Sequence, residues 1–209
     1  MARLNVNPTR MELNKLKARL KTATRGHKLL KDKTDEMIRR FSEIIREDKA
    51  LRDSVEEHIA ETLKQFSLAR TSAKRSDAEL VFSMPAVSAE VECGVKTVMS
   101  VPVPSLTLSL SGETGEYPYS LAFMTAEADS AVDMAEDLLQ KLIKLAELEK
   151  TTAMLADEIE KSKRRVNALE YVLIPNLEET IKYIAMKLEE NDRSSRTRLM
   201  KVKSMLENR

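Results

Sequence analysis

Two histidines, one cysteine and several dense runs of charge are the residues from which this sequence could build chemistry. His27 and His58 are isolated from one another, and a metal site needs more ligands than either brings. Cys93 has no nearby histidine to activate it, and its place in a run of alternating apolar residues marks it as packed. The run Gly112-Glu-Thr-Gly115 lacks the Lys-Ser/Thr of a phosphate-binding loop. The carboxylates are spread along the chain, not paired. The expectation is no catalytic residue, no metal, no cofactor, and a chain that is not itself an enzyme.

Charge is abundant but unevenly placed. The net charge is only +1. Residues 1–31 carry nine Lys or Arg against one acid, Glu12, and residues 193–209 carry six against Glu207. Residues 76–147 carry twelve acids against Lys96, Lys141 and Lys144. Such polarity suggests two different docking surfaces.

The elements that position these charges are long. Charged residues make up 33% of the chain and aromatics 4%, with no Trp, which favours extended helices over a compact core. Three stretches are expected: a first helix over 8–75, a central segment over 76–125, and a second helix over 126–192. A basic helical extension follows over 193–209, all within one elongated domain. Helix 1 starts either with Asn7 as N-cap and Pro8 as first residue, or with a Thr9–Glu12 capping box.

A 3-4 apolar spacing runs through Leu13, Leu16, Leu20, Ala23, His27, Leu30, Thr34, Met37, Phe41, Ile44, Asp48, Leu51, Val55, His58 and Thr62. A second runs from Leu145 through Leu155, Val166, Leu169 and Leu173, then after a shift through Leu177, Ile181, Ile184 and Leu188. Sustained spacing of this kind is a coiled-coil seam. The fold class is therefore mainly α: a long antiparallel two-helix coiled coil with a small β-hairpin element at the closed end. The two seam histidines set register.

In that pairing, facing residues have numbers summing to about 201. Gly26 then faces Pro175, a close approach of the two backbones, and Arg164 and Arg165 face Asp35 and Glu36. The two basic ends coincide in a positive, polar tip. In the centre, apolar residues occupy odd positions from Val87 to Val103 and even ones from Leu106 to Leu110, which means strands. Gly94 and Pro102–Pro104 are the candidate turns. A single cysteine and an N-terminus without an apolar run favour a reducing, cytoplasmic setting.

The stretches LNVNPTRMELNKLKARLKTATRGHKLLKDKTDE and RRVNALEYVLIPNLEETIKYI, with TVMSVPVP between them, closely resemble the D subunit of V-type and archaeal-type rotary ATPases. The resemblance implies a non-catalytic rotor axle in the central stalk. Its partners would be a hexamer of catalytic A and non-catalytic B subunits, the F subunit alongside, and the C/d socket protein. Membrane contact would be indirect, through the complex, with no nucleic acid involved.

Arg10, Lys15, Arg19, Lys21, Arg25, Lys28, Arg193, Arg196, Arg198 and Lys201 are the candidate hexamer-facing tip. Glu127, Asp129, Asp133, Glu136 and Asp137 are the candidate contacts with the socket or with F. A prefoldin-like chaperone is the alternative, since it too joins two coiled-coil helices through β-hairpins.

Overall fold

The computed structural model describes residues 4–72, 87–111 and 126–207. It is mainly helical: a long antiparallel helix pair with a small two-stranded antiparallel hairpin. In chain order come α1 (Arg10–Ser72), β1 (Ser88–Val98), β2 (Val101–Ser111), α2 (Ala126–Ala168), a π-turn (Leu169–Leu173) and α3 (Ile174–Glu207). The chain divides into two compact units, residues 1–36 with 159–209, and residues 37–158.

In the first unit, α1 starts at the later of its two possible caps. The Glu12 N–H donates to Thr9 Oγ1 at 3.2 Å, which satisfies one of the orphan donors of the first turn. Pro8 lies ahead of the helix. Leu16, Leu177 and Ile184 form the core, with Leu13, Leu20, Ala23, Leu173, Ile181 and Leu188 packed around them. Each fully buried Leu or Ile contributes roughly 1.5–3 kcal/mol. Arg10 to Asp192 at 3.1 Å and His27 to Glu170 at 3.3 Å bridge the two strands of the pair. Their numbers sum to 202 and 197. The Leu4 N–H donates to Thr180 Oγ1 at 3.2 Å, so the N-terminal segment runs back along α3 from the Arg10–Asp192 level.

The shift in the second seam has a structural cause. The Ile174 N–H donates to the carbonyl of Leu169, five residues back instead of four. A π-turn of this kind holds one extra residue. The seam spacing from Leu169 to Leu173 to Leu177 is four and four, one residue longer than the 3-4 repeat. The wider turn absorbs that residue and keeps Leu177 and Ile184 facing α1, both 0% exposed. It also sits where the Pro175 ring would otherwise crowd the carbonyl of Tyr171.

The close approach expected between Gly26 and Pro175 does not form. His27 reaches Glu170, five residues before Pro175, and a Cβ built at Gly26 would meet nothing within 4 Å. Gly26 lies beside the seam, where space is open. The cross-helix pair expected for Arg164 gives way to one with Glu160 on its own helix.

In the second unit, α1 and α2 pair along Met37, Ile44, Val55 and Leu155, all buried. Arg52 pairs with Glu149, and Lys141 donates to His58 Nε2 at 2.9 Å. These pairs sum to 201 and 199. The hairpin leans on this helix pair through one face near its turn: Val101 and Val103 pack with Ile44, Leu155, Phe41, Leu148 and Met154.

The turn is Met99-Ser100, with φ of 53° and 70°. Two successive positive φ values define a type I′ turn, whose twist matches paired strands. Gly94 and Pro102–Pro104, expected to turn, lie inside strands. Gly94 pairs with Ser105, Pro102 with Thr97 and Pro104 with Val95.

Candidate functional site

The candidate site residues fall on two surfaces, and the structure adds a third. The first runs along the first unit, from the exposed end of α3 past the Arg10–Asp192 pair to Lys28 beside the His27–Glu170 contact. Arg10, Lys15, Arg19, Lys21, Arg25 and Lys28 are all exposed on α1, and Arg193, Arg196, Arg198 and Lys201 are exposed on α3. Arg10 is held by Asp192 and Lys15 sits 3.6 Å from Glu12. Since α1 begins at Arg10 and meets Asp192, α3 continues beyond its partner. Every residue from Asn191 to Glu207 is exposed.

That overhang is not simply polar, as expected. Leu199, Met200, Val202, Met205 and Leu206 are 54–69% exposed. Leu199, Val202 and Leu206 follow the 3-4 spacing of a helix face that a partner would cover. The run RTRLMKVKSMLE carries this pattern in the sequence, masked by the four cations interleaved with it.

The second surface is the start of α2. Glu127, Asp133 and Asp137 are exposed, while Asp129 and Glu136 are half-buried. Asp129, Asp133 and Glu136 share one helix face by spacing. Glu127 and Asp129 occupy the first turn, where carboxylates also complement the helix dipole. The structure brings these five residues onto one short helical segment, in a different unit from the basic end.

The third surface was not singled out in the sequence. Glu147 on α2 holds the hairpin with both carboxylate oxygens. Oε1 accepts from Lys96 Nζ on β1 at 2.5 Å and Oε2 from the Leu106 N–H on β2 at 3.1 Å. The Lys96 hydrogen bond, reinforced by the Leu106 amide, holds the Glu147 carboxyl below its ordinary range. Further along, β2 borders an open groove of about 300 Å³ lined by Leu106, Leu108, Leu110, Gln140, Ile143 and Lys144. Cys93, expected to be packed, is exposed on β1.

Among the described residues, no group of three or more His, Cys, Asp or Glu is arranged to hold a metal ion. No described helix is long and apolar enough to cross a membrane. The geometry defines a class: a two-helix coiled-coil element with a β-hairpin and with charged and apolar side chains exposed on its surface.

The comparisons with known proteins narrow that class. A family model for the D subunit of ATP synthase matches residues 12–204. The chain is 53% identical over 210 residues to the V-type ATP synthase D subunit of Clostridium novyi (strain NT), covering 99% of this chain and 97% of that one. It is 53% identical over 207 residues to the protein of the same name from Clostridioides difficile (strain 630), covering 99% and 93%. Against that of Streptococcus pyogenes serotype M3 (strain ATCC BAA-595 / MGAS315) it is 49% identical over 208 residues, covering 98% and 100%.

This chain belongs to the D-subunit family of ATP synthases. It is a central-stalk component of a V/A-type ATPase, with a role in ATP synthesis and ion transport. The prefoldin-like alternative has no support.

Proposed function

We propose that the chain is the non-catalytic axle of that machine, carrying torque between the nucleotide-processing hexamer and the ion-translocating membrane ring. The observation that carries this reading is the overhang of α3. Residues 193–207 are all exposed beyond the helix pair, with cations and an apolar stripe on the same element. A free protein has no use for such a surface, whereas a shaft end seated in a ring does. The seam supplies the stiffness that torque requires.

In this reading Arg10, Lys15, Arg19, Lys21, Arg25, Lys28, Arg193, Arg196, Arg198 and Lys201 face the hexamer of A and B subunits. Glu127, Asp129, Asp133, Glu136 and Asp137 face the C/d socket or the F subunit. The chain carries no active site of its own and meets the membrane only through the complex, on its cytoplasmic side. An asymmetric shaft can hold chemically equal sites in different states by touching each differently.

The test is recovery of the tagged chain from its host, with mass spectrometry of what accompanies it. Two large ATPase subunits and nucleotide hydrolysis are expected. Reversing Arg193, Arg196, Arg198 and Lys201 to Glu should then weaken assembly or uncouple hydrolysis from rotation. Unchanged ATP-driven rotation in that variant would remove these residues from the tip.

A further inference from the structure

The two edges of the hairpin are treated in opposite ways by the sequence. The type I′ turn makes Val98 and Val101 the closing, mutually hydrogen-bonded pair. Hydrogen-bonded and non-bonded pairs then alternate. Thr97–Pro102, Val95–Pro104, Cys93–Leu106, Val91–Leu108 and Ala89–Leu110 are the non-bonded pairs. At these positions the N–H and C=O point away from the hairpin.

Two independent facts agree with that parity. Both prolines of β2, which have no N–H to give the ladder, fall on outward positions. The Leu106 N–H, also outward, is taken by Glu147 on α2.

The edge of β2 nearest the turn is therefore closed: two prolines without donors, then a donor already bonded. The edge of β1 pairs with no described residue other than those of β2. Ala89, Val91, Cys93, Val95 and Thr97 each direct a backbone donor and acceptor outward, and none is hydrogen-bonded outside the hairpin to a described residue. All five are exposed. β1 spans 11 residues without a proline or a bulge, two of the devices that blunt an edge; its one lysine, Lys96, is drawn to Glu147 on α2. Its two faces differ in chemistry. One presents Val91 and Val95, 46% and 77% exposed, beside Cys93. The other presents Glu90 and Glu92, with Lys96 nearer the turn on the same face and neutralised by Glu147.

We propose that β1 is an acceptor for a third strand, supplied by another protein of the ATPase complex and paired along the open edge. The partner segment is extended and alternates aliphatic residues, which extend the Val91–Val95 face, with Lys or Arg beside Glu90 and Glu92. Main-chain bonds give the affinity and the alternation gives the specificity. This inference rests on the central-stalk reading and names a contact that reading leaves open.

The test is residue-resolved amide hydrogen exchange on the purified ATPase complex and on the isolated full-length chain. The amides of Val91, Cys93 and Val95 are expected to exchange at least tenfold more slowly in the complex. Those of Glu90 and Glu92, bonded within the hairpin, should be slow in both. Val91→Pro with Val95→Pro removes outward donors without touching the hairpin ladder, as Pro102 and Pro104 already do on β2. It should abolish the protection of Cys93 in the complex, measured by exchange and by maleimide labelling of its thiol. Leu110→Pro, which removes an outward donor from β2, should not.

Protection without alternation would mean that a side-chain face is covered and would overturn the proposal. So would a Cys93 equally open, or equally protected, in complex and free chain, or protection arising in the isolated chain with concentration, which would mean pairing of two copies. Failure to recover the chain with the complex would instead sink the axle reading.

Discussion

Deleting Pro175 and inserting an alanine after Tyr171 change the length of the same segment by one residue in opposite directions, and should have opposite consequences. The segment already holds one residue more than the 3-4 repeat allows, absorbed by the π-turn at Leu169–Leu173. Removing Pro175 restores the spacing of Leu173, Leu177, Ile181 and Ile184 to a plain heptad pattern. It also removes a residue that costs about 3 kcal/mol in an ordinary helix interior, part of which the π-turn has relieved. The deletion should leave stability unchanged or raise it by up to about 3 kcal/mol.

The inserted alanine adds a second surplus residue. It rotates all of α3 by about 100° relative to α2 and carries Leu177 and Ile184, both 0% exposed, off the seam. At roughly 1.5–3 kcal/mol each, the loss is about 3–6 kcal/mol. Urea unfolding of the full-length chain, followed by helical circular dichroism, reads both. If the deletion costs as much as the insertion, the π-turn is not the home of a surplus residue and the account of the seam shift is wrong.

Three further outcomes follow from single sites. Gly26→Ala should stabilise the chain by about 0.5–1 kcal/mol, because a Cβ there meets nothing within 4 Å and alanine orders more readily in a helix; a loss of stability in thermal melts would restore the crowded interface. Thr151→Val should stabilise by about 1 kcal/mol, since the Thr151 hydroxyl is buried without a hydrogen-bond partner among the described residues and its burial is uncompensated; an unchanged unfolding midpoint would show that the hydroxyl is satisfied. Glu147→Gln should loosen the hairpin, seen as faster amide exchange over β2. In the native chain the Glu147 carboxyl is held below its unfolded range, so its contribution is complete at neutral pH and fades as pH falls through the lowered folded value. Hairpin protection that already declines between pH 7 and 6 would assign the anchor to another group.

Much of this architecture was legible because burial along a coiled coil follows spacing. Every residue of the helix 1 seam, from Leu13 to Thr62, is buried or half-buried, and even polar Thr34 and Thr62 are where the repeat puts them. The one-residue shift near Leu173 was visible too, but its cause was not. A π-turn is a choice between bending and widening a helix, and the letters around Pro175 allow either.

The hairpin turn was misplaced for a related reason. Residues whose numbers sum to 199 pair, so one face carries odd positions of β1 and even positions of β2, which is the parity switch seen in the sequence. Val101 and Val103 hide the switch because they are apolar on the opposite face, packed on Ile44 and Leu155. The apparent break therefore moved to the prolines.

Gly94 and the two prolines look like punctuation, yet a two-stranded ribbon has no central strand to disturb, and prolines with outward nitrogens cost it no ladder bond. The same backbone directions that make Pro102 and Pro104 tolerable on β2 leave the donors of Val91 and Val95 facing outward on β1. Composition cannot reveal this, because the direction in which a backbone amide points is set by the pairing register and not by the side chain. The asymmetry became visible only when the Met99-Ser100 turn fixed the register. For that reason the Val91→Pro and Val95→Pro pair tests the edge more sharply than any change of side-chain polarity, which would alter both faces and edge together.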